Sequence, residues 1–154
     1  MAVKKPIVIT NGQLEQLQTG DSIDLGNIVT RNNNEAGAMV VGNIVYINGA
    51  NAQLAQADAQ STIRVAGFVV TGGAAASPVD IKTEGIVTLT TGEWDAVAGT
   101  TGGLTPGATL FLSAAVAGEG TETSPTAAGE FVVRCGHALS ATELEIDFQQ
   151  PIKL

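Results

Sequence analysis

Two residues carry side chains suited to nucleophilic catalysis, and they stand two positions apart: Cys135 and His137. An imidazole beside a thiol can take its proton and activate it. On a β-strand, residues two apart project from one face, so the spacing is compatible with such a pair. The neighbours argue otherwise. Cys135 shares its strand parity with Phe131 and Val133, both core residue types, and free cysteines are among the most buried residues. The expectation is therefore a structural thiol. No serine sits in a Gly-x-Ser-x-Gly elbow. With one histidine and one cysteine in 154 residues, no Cys/His metal cluster, intrachain disulfide or redox pair can be assembled.

Other constellations fail for similar reasons. Gly99-Thr100-Thr101-Gly102-Gly103 is glycine-rich, but no lysine follows and no strong strand precedes it, so it reads as a turn rather than a phosphate cradle. Asp21 with Asp24, and Glu93 with Asp95, bring acids together without the alternating oxygen ligands and central glycine of a calcium loop. Glu143, Glu145 and Asp147 alternate with Leu144, Ile146 and Phe148, which describes the solvated face of a half-buried strand. A depolymerase would need a carboxylate pair in a groove with sugar platforms, and no loop supplies both. No catalytic, cofactor or metal site is expected, and no small-molecule substrate. Trp94 stands apart as the single tryptophan, set in a turn; it is expected to plug the end of the core, with anchoring of an interface as the alternative.

Composition frames these side chains. Of 154 residues, 7 are basic and 15 acidic, giving a net charge of −8 that argues against a nucleic-acid groove or an anionic membrane as partner. Charged residues make up 14% and aromatics 4%, whereas 19 glycines punctuate the chain, a mixture suited to short strands and many turns. No run approaches a membrane span, and Pro6–Thr10 is too short for a signal-peptide apolar region, so a protein made in the cytoplasm is expected.

The elements that would position these residues divide in two. Residues 1–26 begin with Lys4-Lys5, continue with the β-branched run Ile7-Val8-Ile9, and then become glutamine-rich, which predicts an extended N-terminal arm. A helix over Gln13–Thr19 competes. Residues 27–154 predict an all-β domain, a compact β-barrel or β-sandwich with short turns and less than about a fifth helix. Its candidate strands are Ala38–Val41, Ile44–Ile47, Ile63–Val70, Ile86–Leu89, Leu110–Leu112, Phe131–Cys135 and Leu144–Phe148. Gln53–Gln60 could make two helical turns, and Thr91–Val97 one turn capped by Thr91 and ended by Gly99.

An internal repeat is also visible. Gly42-Asn43-Ile44-Val45-Tyr46-Ile47 matches Gly107-Ala108-Thr109-Leu110-Phe111-Leu112, and Ile63–Val70 with Gly67 matches Phe131–Leu139 with Gly136. Ile86–Leu89 then corresponds to Leu144–Phe148, giving two similar β-units in one barrel or sandwich.

Lys5-Pro6-Ile7-Val8-Ile9-Thr10-Asn11-Gly12-Gln13-Leu14-Glu15-Gln16-Leu17-Gln18-Thr19-Gly20-Asp21 resembles the start of short virion proteins of tailed bacteriophages. Gly103–Ser113 and Gly129–Ser140, continuing to Pro151, resemble the β-domain of phage head decoration proteins and of some tail-fibre proteins. Gly42–Ile47 and Val65–Val69 are similar to small β-barrel capsid cement proteins. The resemblance implies a homotrimer seated on the major capsid protein lattice at the virion surface, stabilising the head, with no catalytic residues and no cofactor. A small tail-fibre or baseplate component in host attachment is the alternative. The contact residues expected on this reading are Lys4, Lys5, Ile7, Val8, Ile9 and Trp94, the lysines meeting acidic groups of the coat and the apolar run adding a strand to a neighbour's edge.

Overall fold

The computed structural model describes Ile7–Thr10, Gln13–Gln16 and residues 27–154. Ile7–Thr10 (β1) and Gln13–Gln16 (β2) pair antiparallel, with Ile7 opposite Gln16 and Thr10 opposite Gln13. Ile7-Val8-Ile9 is extended, as expected of an arm, and the competing helix is absent over Gln13–Gln16. Lys4 and Lys5 lie outside the described residues.

The next five strands are Ile28–Asn33 (β3), Ile44–Asn48 (β4), Asn51–Leu54 (β5), Gly67–Thr71 (β6) and Pro78–Lys82 (β7). They close into a barrel in the order β3-β5-β4-β6-β7. Closure is made by a short parallel contact in which Asn32 faces Asn51 and Asn33 faces Ala52. The interior is narrow and aliphatic, filled by Met39, Val45, Ala52, Val69, Val79 and Ile81. Asn33 is the buried polar exception, and its amide is fully used: it donates to the carbonyls of Gly37, Gly73 and Ala74, while Oδ1 accepts from the Glu35 N–H. A buried amide so satisfied ties two loops to the end of β3.

The remaining elements are Ile86–Thr88 (β8), a helix Thr91–Ala98 (α1), Thr109–Leu112 (β9), Gly120–Thr121 (β10), Phe131–Val132 (β11), Arg134–Ala138 (β12), Glu143–Ile146 (β13) and Ile152–Lys153 (β14). Five form a sheet ordered β10-β9-β12-β13-β8, and β11 pairs with β14. The all-β expectation therefore holds, in its barrel form with extra sheets.

The two five-stranded units share one topology. Reading β3, β4, β5, β6 and β7 as β8, β9, β10, β12 and β13 reproduces every antiparallel neighbour relation. The registers agree as well: Ile28 faces Lys82 as Ile86 faces Glu145, and Val45 faces Gly67 as Leu110 faces Gly136. Equivalent turn bonds recur, since Gly42 N–H donates to Val69 C=O and Gly107 N–H to Ala138 C=O, each at 2.8 Å, from glycines with φ of +91° and +83°. The repeat seen in the sequence is thus present at β4/β9 and β6/β12. Its third member is corrected: Glu143–Ile146 corresponds to Pro78–Lys82, and Ile86-Val87-Thr88 corresponds to Ile28-Val29-Thr30, an identical triplet. The units differ at closure. Where β3 runs on to meet β5, β8 gives way to α1, which packs against β10.

One continuous core joins the units. The outer face of the barrel contributes Ile44 and Phe68, which cluster with Val87, Trp94, Val97, Leu110, Leu112, Val133 and Leu144. Phe68 meets Trp94 edge-on at 6.1 Å between ring centres and stacks with Phe148 at 6.2 Å.

Several local expectations are revised. Ala38–Val41 is not a strand: Met39 makes one bridge to Gly73, and Val40–Asn43 turns, closed by the Asn43 N–H to Val40 C=O bond. Ile63–Val70 is strand only from Gly67, and Phe131–Cys135 is interrupted at Val133. The alanines of Gln53–Gln60 belong to no helix; Ala55 and Ala57 are buried as small residues in the core that the barrel shares with the second sheet. The helix cap is Thr90 rather than Thr91, with both halves of a capping box made to Glu93, and the helix ends at Gly99 in the left-handed conformation.

Candidate functional site

Trp94 is completely buried, so it is the core plug and not a surface contact of this chain. Its place follows from the local sequence. Thr90 and Glu93 fix the first turn of α1, and the helix carries Trp94 inward to the space that β3 and β5 close in the other unit. The indole Nε1 donates to Thr142 C=O at 3.1 Å, satisfying the one polar group the ring brings into the core.

Glu93 and Asp95, acids two positions apart in the sequence, do not converge on an ion. Glu93 accepts from the Thr90 N–H, which with the Thr90 hydroxyl holds its carboxyl below the usual range. Asp95 accepts from the Gly103 and Gly102 N–H groups and from the Thr100 hydroxyl, and the Gly103 bond is the largest cause of its lowered pKa. The glycine-rich segment Gly99–Gly103 is therefore a loop wrapped on a carboxylate. Among the described residues, no group of three His, Cys, Asp or Glu side chains could hold a metal ion.

Cys135 and His137 do not form a pair. The register of β12 against β9 advances by one residue between Arg134, opposite Phe111, and Gly136, opposite Leu110. This β-bulge inserts Cys135 and reverses the phase of the strand beyond it. Cys135 keeps the inward face of Phe131 and Val133 and is fully buried, with its thiol pKa pushed up by desolvation. His137 turns outward, where Nε2 approaches Glu145 Oε2 at 3.3 Å, while the Cys135 thiol reaches Val133 C=O at 3.9 Å. Arg134 and Asp147, just beyond β13, form the neighbouring ion pair at 3.0 Å, so the acidic stripe of Glu143, Glu145 and Asp147 is partly neutralised by β12.

What the surface offers is shape and adhesion. Val40 is 51% exposed and stands with Val41 and Ala96 around a shallow apolar depression between α1 and the Val40–Asn43 turn. Ile28 and Ile86, equivalent residues of the two units, are both exposed. A second trough, beside β14, which the sequence patterns did not single out, is built from segments far apart in the chain: Gln60–Val65, Phe131–Val133 and Phe148–Lys153. No helix among the described residues is long and apolar enough to cross a membrane. The chain matches no protein-family model and no curated protein.

Proposed function

We propose that this chain is a virion structural protein that binds the outside of a phage capsid lattice and stabilises the head. The carrying observation is the arrangement of a short β1–β2 hairpin ahead of two β-units built on one topology around a shared core. Such a body supplies a stiff seat, and the hairpin supplies an element with strand edges to offer a neighbour. The residue-level likeness to decoration and cement proteins supports the same reading. Stabilisation works by mass action: a protein that binds only the expanded shell shifts the shell toward that state, and many modest contacts act together.

Self-association into a trimer belongs to this proposal. Exposed Ile28, Val40, Ile86 and Leu139 give the subunit apolar surface to hide between copies, at about 800 Å² per partner for a stable contact. Lys4, Lys5 and the Ile7-Val8-Ile9 strand are the residues proposed to reach the coat.

The test adds purified protein, whole or lacking residues 2–16, to expanded undecorated heads and measures bound copies by sedimentation and gel densitometry. Hundreds of copies for the whole chain, and sharply weaker attachment for the truncated one, are expected. Few or no copies bound by the whole chain would count against the capsid assignment. Equal binding by the truncated chain would move the contact from the hairpin to the depression around Val40 and Ala96.

A further inference from the structure

The trough beside β14 has a charge character opposite to that of the whole protein. Its central depression, of about 620 Å³, is lined by Arg64 and Lys153 together with the amides of Gln60, Gln149 and Gln150. It continues at one end, through Gln60 and Arg64, into a depression reaching Tyr46 and Asn48. Gln149 and Gln150 also line a second depression, with Arg134 and Ile152, on the opposite face of the β11–β14 pair. Although the chain has 15 acidic residues, no Asp or Glu lines any of the three depressions. Among the described residues the ion pairs are Arg134–Asp147 and His137–Glu145, so Arg64 and Lys153 are left without a carboxylate.

The floor and edge add a second constraint. Ile63, Phe131 and Val133 are buried beneath the cations, and Lys153 Nζ stands 6.0 Å from the centre of the Phe131 ring, a position that a cation–π contact favours. Among the described strands β14 pairs only with β11, which leaves its other edge open. Ile152 and Lys153 lie on this edge and line the two adjoining depressions. An open edge flanked by pockets for alternate side chains suits an added strand, and unpaired cations over an apolar floor suit acidic side chains alternating with apolar ones.

We propose that this trough docks an extended acidic peptide segment of a partner protein, which adds to the free edge of β14 and pairs its carboxylates with Arg64 and Lys153. The amides of Gln60, Gln149 and Gln150 offer both donors and acceptors to the remaining backbone groups of that segment. This site is separate from the β1–β2 hairpin and stands or falls apart from the virion assignment.

The test uses a fluorescein-labelled peptide of about ten residues alternating Glu and Val, long enough to span the three depressions as a strand. A Lys/Val peptide and polygalacturonate, an anionic polymer without amides, are the comparison probes. Fluorescence anisotropy at low salt is expected to show binding of the Glu/Val peptide and none of the Lys/Val peptide. Arg64→Glu and Lys153→Glu should each weaken it by about tenfold, whereas Lys82→Glu, whose side chain does not line the trough, should change it by less than about twofold. Hydrogen exchange of the Lys153 amide, which alternates with the Leu154 amide already bonded to Glu130 C=O, should slow when the peptide binds. Circular dichroism checks that each variant is folded, and Arg64→Gln replaces Arg64→Glu if charge reversal disturbs the loop. Failure of the Glu/Val peptide to bind, equal weakening by Lys82→Glu, or equally tight polygalacturonate binding without slowed exchange at Lys153 would overturn the proposal.

Discussion

Asp95 illustrates how an acid that looks available for an ion becomes structural once its neighbours are placed. Its carboxylate takes hydrogen bonds from the Gly102 and Gly103 N–H groups, and these hold its pKa below that of the unfolded chain. The unfolded state then binds more protons in the interval between the two values. The stabilisation is full above the ordinary carboxylate pKa and is lost as pH falls through the lower folded value. Asp95→Asn should therefore melt below the wild type at neutral pH, and the difference should shrink as pH falls from about 4, measured by thermal melts across an acid series. Trp94→Ala should cost about 3–5 kcal/mol, because it leaves a cavity against Phe68 and removes the indole bond to Thr142 C=O, which keeps the Leu89 N–H; urea denaturation reads it directly. Cys135 should resist a bulky thiol reagent until denaturant is added. The roles of Trp94 and Cys135 were legible in the sequence because size and parity alone indicate burial. The separation of His137 from Cys135 was not, because a bulge is set by cross-strand register, which one strand's pattern does not contain.

Glycine positions separate the demands of strand pairing from those of mere flexibility. A Cβ at Gly67 would sit 2.2 Å from the Lys82 carbonyl oxygen, and one at Gly136 equally close to the Glu145 carbonyl oxygen, so both units need a bare backbone at the same step of the same hairpin. Gly92, within α1, has open space around it. Gly136→Ala should destabilise strongly, by backbone displacement in β13, whereas Gly92→Ala should stabilise by about 0.5–1 kcal/mol through helix propensity; paired melting curves distinguish them. Strands with strong β-branched runs, such as Ile44–Asn48 and Ile86–Thr88, were readable directly. Asn51–Leu54 and Pro78–Lys82 were hidden, the first by alanine and glutamine content and the second by its opening proline. Both are held by neighbours on the barrel rather than by their own propensity. The β14 trough was equally hidden, since its walls come from three segments that only the fold brings together.

The duplicated topology raises the question of whether the two units behave as separate bodies, and the core answers it. The barrel has its own small interior of Met39, Val45, Ala52, Val69, Val79 and Ile81, yet Phe68, its largest fully buried side chain, and Ile44 point outward into the cluster supplied by the second sheet. Exposing that face by unfolding the second unit would uncover Phe68, Ile44 and part of Tyr46 to water, at roughly 1.5–3 kcal/mol for each large side chain fully uncovered. The second unit would lose still more, because its sheet is covered on that side by the barrel and its closure depends on α1 held through Trp94 against Phe68. Neither unit is therefore stable without the other, and unfolding should be a single cooperative transition. Calorimetry should return a van't Hoff enthalpy equal to the measured one. Phe68→Ala, a change confined to the barrel, should lower the stability of both units together by about 3–5 kcal/mol, read as equal loss of amide protection at Val45 in the barrel and Leu110 in the second sheet. If protection at Leu110 survived while Val45 exchanged freely, the shared core would not couple the units, and the chain would consist of two independently folding repeats.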